Sequence, residues 1–119
     1  ACDIDEKCEN VAYENAALNG IDRTHYTVRT GDVTRDARLQ KEFGGENDIV
    51  VANIVADVII GLAPVLPAFV GGKSTLICSG ILDTRLEDVT RALEKAGLTV
   101  TMTKAKEDWR CVSVRRSAL

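Results

Sequence analysis

The stretch Asn47-Asp48-Ile49-Val50-Val51-Ala52-Asn53-Ile54 constrains this chain more than any other. Four apolar residues, three of them β-branched, follow an acidic residue and stop at an asparagine. A short apolar run of this kind suits a strand buried on both faces, as in a parallel sheet. A polar residue at the exit of such a strand stands where open α/β sheets bind their ligands. Asn53 is therefore the first candidate for a functional residue.

The flanking segments alternate in character. Residues 1–5 resemble the last residues of a strand, and Glu6 to Asn19 reads as a helix capped by Asp5 and stopped at Asn19-Gly20. Its core-facing positions fall at Cys8, Val11, Ala12, Ala16 and Leu18 or Asn15. His25 to Thr30 alternates as a strand, closed by Gly31-Asp32. Asp36 to Phe43 reads as a short polar helix, and Val55 to Val70 as a helix kinked or restarted at Pro64 and Pro67. Ser74 to Ser79 is a further buried strand ending at Gly80. Asp83 or Thr84 caps a helix to Ala96 with a core stripe of Leu86, Val89, Leu93 and Ala96. Leu98 to Lys104 and Arg110 to Val114 are strands joined by an extended loop, Ala105 to Trp109. The order β-α-β-(α)-β-α-β-α-β-β implies an α/β fold with a mostly parallel sheet and one antiparallel strand from the C-terminal hairpin.

At 119 residues the chain is read as one domain, residues 1–119, with a moderate core. The net charge of −3 offers no general basic surface, so no direct nucleic-acid or membrane partner is expected, and Arg115-Arg116 reads as a solvated tail. The longest apolar run is interrupted by Asp57, Gly61, Pro64 and Pro67, which argues against a membrane span. Cys2, Cys8, Cys78 and Cys111 form neither a CxxC pair nor a zinc-ligand spacing, and no metal is expected. They read as buried thiols of a cytoplasmic protein.

The chain contains no P-loop, no HExxH, no GxSxG and no glycine-rich turn leading from a strand into a helix. Gly44-Gly45 and Gly71-Gly72 precede strands. Gly80 follows one, but singly. The lone histidine, His25, reads as a surface residue.

Polar residues at the expected strand exits carry what chemistry is visible. Asp3, Asp32 and Asn53 each follow a parallel strand, and Ser79-Gly80 marks a fourth exit. In a doubly wound sheet these ends line a single crevice. A carboxylate there can accept from a ribose diol or an adenine amino group, and an asparagine has both a donor and an acceptor to orient an amine. Taken singly, each also suits a cap or a turn.

Asp3-Ile4-Asp5, the helix end Glu14-Asn15-Ala16-Ala17-Leu18-Asn19-Gly20, Gly31-Asp32 and Asp48 to Ile54 resemble a class I S-adenosylmethionine-dependent methyltransferase. The ordered set Ala52-Asn53-Ile54, Leu62-Ala63-Pro64, Ser79-Gly80-Ile81 and Glu107-Asp108-Trp109 is similar to the ribosomal protein L11 methyltransferase family, over essentially the whole chain. The resemblance implies S-adenosylmethionine as cofactor, with Asp3 at the ribose, Asp32 near the adenine, and Asn53 beside the methionine end and the incoming amine. It implies methyl transfer to a protein amino nitrogen, with ribosomal protein L11 as substrate and Asn53 as the catalytic position. It places Trp109 on the substrate side, where packing is the plainer reading for a lone Trp.

In that family a first strand and glycine loop precede the residues matched here, and the first strand lies between the second and fourth. The chain is thus expected to be an incomplete piece that binds cofactor weakly and does not turn over. Its orphaned sheet edges would pair with each other or with another copy, giving a homo-oligomer. Two other readings stand beside this one: a non-catalytic interaction or dimerisation module derived from a methyltransferase, and another Rossmann-like nucleotide-binding enzyme.

Overall fold

The computed structural model describes residues 1–118. The chain divides into two compact units, Ala1–Glu42 and the residues from Phe43 on.

In the first unit, β1 (Cys2–Asp3) leads into α1 (Glu6–Leu18). The Asp5 carboxylate accepts from the Lys7 amide at 3.0 Å and satisfies an N–H that the first helical turn leaves unpaired. The helix ends at Asn19, and Gly20 reverses the chain at φ 73°. Ala16 is buried and Cys8 and Ala12 half-buried, but Val11 and Leu18 face solvent, so the core stripe is narrower than the sequence suggests.

The expected strand from His25 shrinks to β2 (Arg29–Thr30). Asp22 accepts from both the amide and the hydroxyl of Thr24, and the His25 amide donates to the Asp22 carbonyl at 3.1 Å. This local network holds residues 22–25 in a turn that competes with extended structure. β2 runs parallel to β1, with Asp3 opposite Thr30. The Tyr13 hydroxyl ties α1 to the strand by accepting from the Val28 amide at 2.9 Å and donating to its carbonyl at 3.3 Å. α2 (Ala37–Phe43) follows, with the Asp36 carboxylate accepting from the Arg38 amide at 2.9 Å and Leu39 buried.

The second unit contains β3 (Ile49–Asn53), α3 (Ala56–Leu62), β4 (Thr75–Leu82), α4 (Leu86–Lys95), β5 (Leu98–Lys106) and β6 (Trp109–Arg116). Its sheet order is β3-β4-β6-β5, with β3 parallel to β4 and β6 antiparallel to both β4 and β5. Three strands therefore share one direction and only β6 opposes them, as the alternation of segments implies. Prolines break the expected helix 55–70: α3 stops at Leu62, two residues before Pro64, and a short 3-10 turn at Leu66–Ala68 accommodates Pro67.

The hairpin is tighter than expected. The strands reach Lys106 and restart at Trp109, and Glu107 takes φ 55° to close the turn. Of the two expected repairs of the orphaned edges, direct pairing of β1 with β3 does not occur, and the two strands lie in separate sheets. β1 has only two residues, too few for a long ladder, and its one partner strand is β2.

Asn47 anchors the start of β3 by donating to the carbonyls of Phe43 (2.9 Å) and Phe69 (3.0 Å). The buried Ser74 hydroxyl donates to the Asn47 carbonyl and accepts from Gly71. α3 and α4 cover one face of the sheet, where Ala52, Ile59, Leu76, Cys78, Val89, Leu93, Val112 and Val114 form the core. The other face leaves Ile49 63% and Val51 64% exposed, so β3 is not buried on both faces. Burial pushes the Cys78 thiol up to about 12, which keeps it protonated. Cys2, by contrast, is exposed, and all four cysteines are free.

Candidate functional site

The first unit brings two of the expected residues to one sheet end. Asp3 closes β1, its carboxylate exposed and accepting from the Asp5 amide at 2.9 Å. Asp32 lies just past β2, and the Gly31 amide donates to the Asp3 carbonyl at 2.9 Å, which sets the two strand exits side by side. The Asp32 carboxylate accepts from the Thr34 hydroxyl at 2.5 Å and the Thr34 amide at 3.0 Å. These two bonds, the hydroxyl first, hold it below the usual carboxylate range. Arg35, 3.9 Å away, adds a smaller pull in the same direction. An open depression of about 540 Å³ lies here, lined by Asp32, Arg35, Asp36, Ala37 and Arg38.

The second unit holds Asn53. It ends β3 directly opposite Ser79, and the following Ile54 amide donates to the Ser79 carbonyl at 3.3 Å. Pairing of β4 with β6 is interrupted between Cys78 and Ile81, and Gly80 sits in that irregularity at φ 78°. A Cβ at Gly80 would stand 3.0 Å from the Asn53 side-chain oxygen and 3.2 Å from the Ile54 carbonyl. Glycine at this position is what lets the asparagine occupy the strand exit.

Beside it opens a recess of about 130 Å³, lined by Val55, Ala56, Asp57, Gly80, Leu82, Arg85 and Trp109. Arg85 donates to Asp57 at 2.6 Å and to Asp88 at 3.2 Å. The guanidinium holds the Asp57 carboxyl below its usual range. Sequence reasoning missed Asp57 and Arg85, since Asp57 registered only as a break in an apolar run. Its place in the first turn of the helix that follows Asn53 was the available signal. Among the described residues no group of three or more His, Cys, Asp or Glu is arranged to hold a metal ion.

Alternating strands and helices, polar residues at the parallel-strand exits and one reversed strand in the hairpin define a Rossmann-like methyltransferase fold. Solved structures agree. A ribosomal protein L11 methylase from Lactobacillus delbrueckii subsp. bulgaricus matches 99% of this chain and 57% of its own at TM-score 0.86 and 27% identity. The Methanococcus jannaschii fibrillarin pre-rRNA processing protein shares the fold over 99% of this chain and 56% of its own, at TM-score 0.77 and 10% identity.

The family model for ribosomal protein L11 methyltransferase matches residues 1–117, and the chain belongs to that family. The ribosomal protein L11 methyltransferase of Agathobacter rectalis is 40% identical over 108 residues, 90% of this chain and 33% of that protein. That of Caldicellulosiruptor bescii is 35% identical over 119 residues, all of this chain and 36% of that protein. The chain thus spans about a third of the length of these curated relatives.

Proposed function

We propose that residues 1–119 are one catalytic domain's portion of an S-adenosylmethionine-dependent protein N-methyltransferase, acting in the cytoplasm on amino groups of ribosomal protein L11. The observation that carries this reading is Asn53 at the exit of β3, in register with Ser79-Gly80, in a chain of this family.

The residues present suit the adenosine half of the cofactor. Asp3 is an exposed acceptor for ribose hydroxyls. Asp32, held ionised by Thr34, is an acceptor for the adenine amino group. S-adenosylmethionine, when bound, brings an electrophilic methyl carbon. Asn53 then offers an acceptor and a donor to orient a neutral amine toward that carbon, and orientation supplies most of the acceleration. No glycine-rich turn is present in these residues for the methionine half, so the chain by itself is proposed to bind cofactor weakly and not to turn over.

The net charge of −3 supports a protein substrate over nucleic acid or an anionic membrane. Among the described residues no helix is long and apolar enough to cross a membrane. The end strand β3 has no charged residue from Ile49 to Asn53. The opposite edge, β5, has an irregularity at Val100–Met102 and carries Lys104 and Lys106. An unguarded edge of this kind supports pairing with another strand, here proposed to come from a second copy of the chain.

Titrating the isotope-labelled chain with S-adenosylhomocysteine tests the reading. Amide resonances of residues 3–5 and 31–34 are expected to shift, and Asp32→Ala to weaken binding roughly ten-fold, the size of one lost charge-assisted hydrogen bond. Unmoved resonances at residues 3–5 and 31–34, or equal binding by the variant, would refute it.

A further inference from the structure

We propose that the outward face of α1 is a self-association surface: two copies of this chain pair α1 against α1, antiparallel, about a two-fold axis at Val11, with Lys7 of each copy beside Glu14 of the other. The surface belongs to the first unit and is independent of the strand pairing proposed for β3.

The exposed residues of α1 form a stripe, not a scatter. At about 100° per residue, Lys7, Val11, Glu14 and Leu18 lie within roughly 60° of one another around the helix. All four are exposed, Val11 at 52% and Leu18 at 85%, while Ala16 is buried and Cys8 and Ala12 are half-buried on the other side. Ile4, 73% exposed just ahead of the helix, prolongs the apolar line. Apolar side chains aligned on one helix face mark a contact surface more than scattered exposure does. The flanking positions Asn10, Asn15 and Ala17 are exposed and uncharged, so a second helix meets no charge beside the stripe. Glu9 is engaged elsewhere, accepting from the Thr30 hydroxyl at 2.9 Å.

Spacing and charge together select a second copy as the occupant. Val11 lies midway between Ile4 and Leu18, and Lys7 and Glu14 flank it with opposite charges. Among the described residues neither Lys7 nor Glu14 forms an ion pair. Reversing the helix about Val11 maps the stripe onto itself: Val11 meets Val11, and Leu18 overlies Ile4 of the second copy. At about 1.5 Å of rise per residue, Lys7 stands about 6 Å from the axis, and Glu14 of the second copy about 4.5 Å from it on the same side. The two-fold makes this contact twice. A parallel pair would set Lys7 against Lys7 and Glu14 against Glu14, so charge selects the antiparallel arrangement. The helix is only about 20 Å long, and the contact falls below the roughly 1,200 Å² of standard interfaces. The dimer is accordingly weak, with a Kd on the order of 0.1–1 mM.

Sedimentation equilibrium at low salt, up to about 1 mM of the 119-residue chain, tests the pairing. The measurements are made in a Val51→Lys background, which places a charge on the β3 edge and leaves α1 as the pairing surface. Val11→Lys is expected to weaken association at least ten-fold, since it brings two lysines together at the axis. Glu14→Lys should weaken it about three-fold even though it brings the net charge closer to zero. Lys7→Glu combined with Glu14→Lys should restore the affinity, because the exchanged ions again meet across the axis. All these positions are exposed, so the fold is retained, and circular dichroism checks it. A chain that stays monomeric at about 1 mM in the Val51→Lys background, association that survives Val11→Lys, or a double exchange that fails to restore the affinity would each overturn the proposal.

Discussion

Leu93→Ala is expected to lower the stability of the sheet-bearing unit by about 2–5 kcal/mol, the range for truncating a buried leucine. Leu93 is fully buried on the face of α4 that meets the sheet, packed in one cluster with Ile59, Leu76, Val89 and Val112. Truncation removes its transfer free energy and leaves a hole that the rigid sheet cannot close. Against a total of roughly 5–15 kcal/mol for a domain of this size, that is a large fraction. Met102→Ala on β5, where the side chain is 54% exposed, should change stability by no more than about 0.5 kcal/mol. Urea unfolding of the two variants beside the parent checks the contrast. Equal midpoints would mean that the core is not packed on α4 as described.

Gly80→Ala should cost about 1–3 kcal/mol and displace Asn53. Two effects add. An L-residue at φ 78° is strained, and the new methyl group meets the Ile54 carbonyl at 3.2 Å, a backbone atom with little freedom to yield. The Asn53 side-chain oxygen, 3.0 Å away, also has to give by a few tenths of an ångström. Gly72→Ala is the matched control: its φ lies outside the left-handed region, its Cβ would meet nothing within 4 Å, and it should be close to neutral. Unfolding measurements give the stability difference, and the side-chain amide resonances of Asn53 give the displacement. An unmoved Asn53 in Gly80→Ala would sever the connection between the glycine and the strand exit.

How far the sequence reveals this molecule differs from element to element. The run at Ile49 to Asn53 identifies β3 because a dense β-branched segment ending in a polar residue leaves few alternatives. Asp5 and Gly20 mark the ends of α1 through capping chemistry, which is local and so visible in the sequence.

What depends on distant partners is less visible. The exposure of Ile49 and Val51 reflects which sheet face α3 and α4 cover, and composition does not tell a strand buried on both faces from one buried on one. The loss of the strand at His25 comes from three hydrogen bonds among Asp22, Thr24 and His25 that outcompete β-propensity. Asp3, Asp32 and Asn53 were legible as candidates because strand exits are readable. Asp57 and Arg85 were not, because their meeting depends on how the turn after β4 folds onto the start of α3.

Asp3 and Asp32 are proposed to hold the adenosine half of S-adenosylmethionine and Asn53 to orient an amine, while the methionine half finds no glycine-rich cradle in residues 1–119. Calorimetric titration of the 119-residue chain with adenosine and, separately, with S-adenosylmethionine tests this most directly. Weak and similar affinities are expected, on the order of 1 mM for each, since the contacts are made chiefly to the shared adenosine half. One-to-one binding of S-adenosylmethionine more than about ten-fold tighter than adenosine, a gain of about 1.4 kcal/mol from the methionine half, would contradict it.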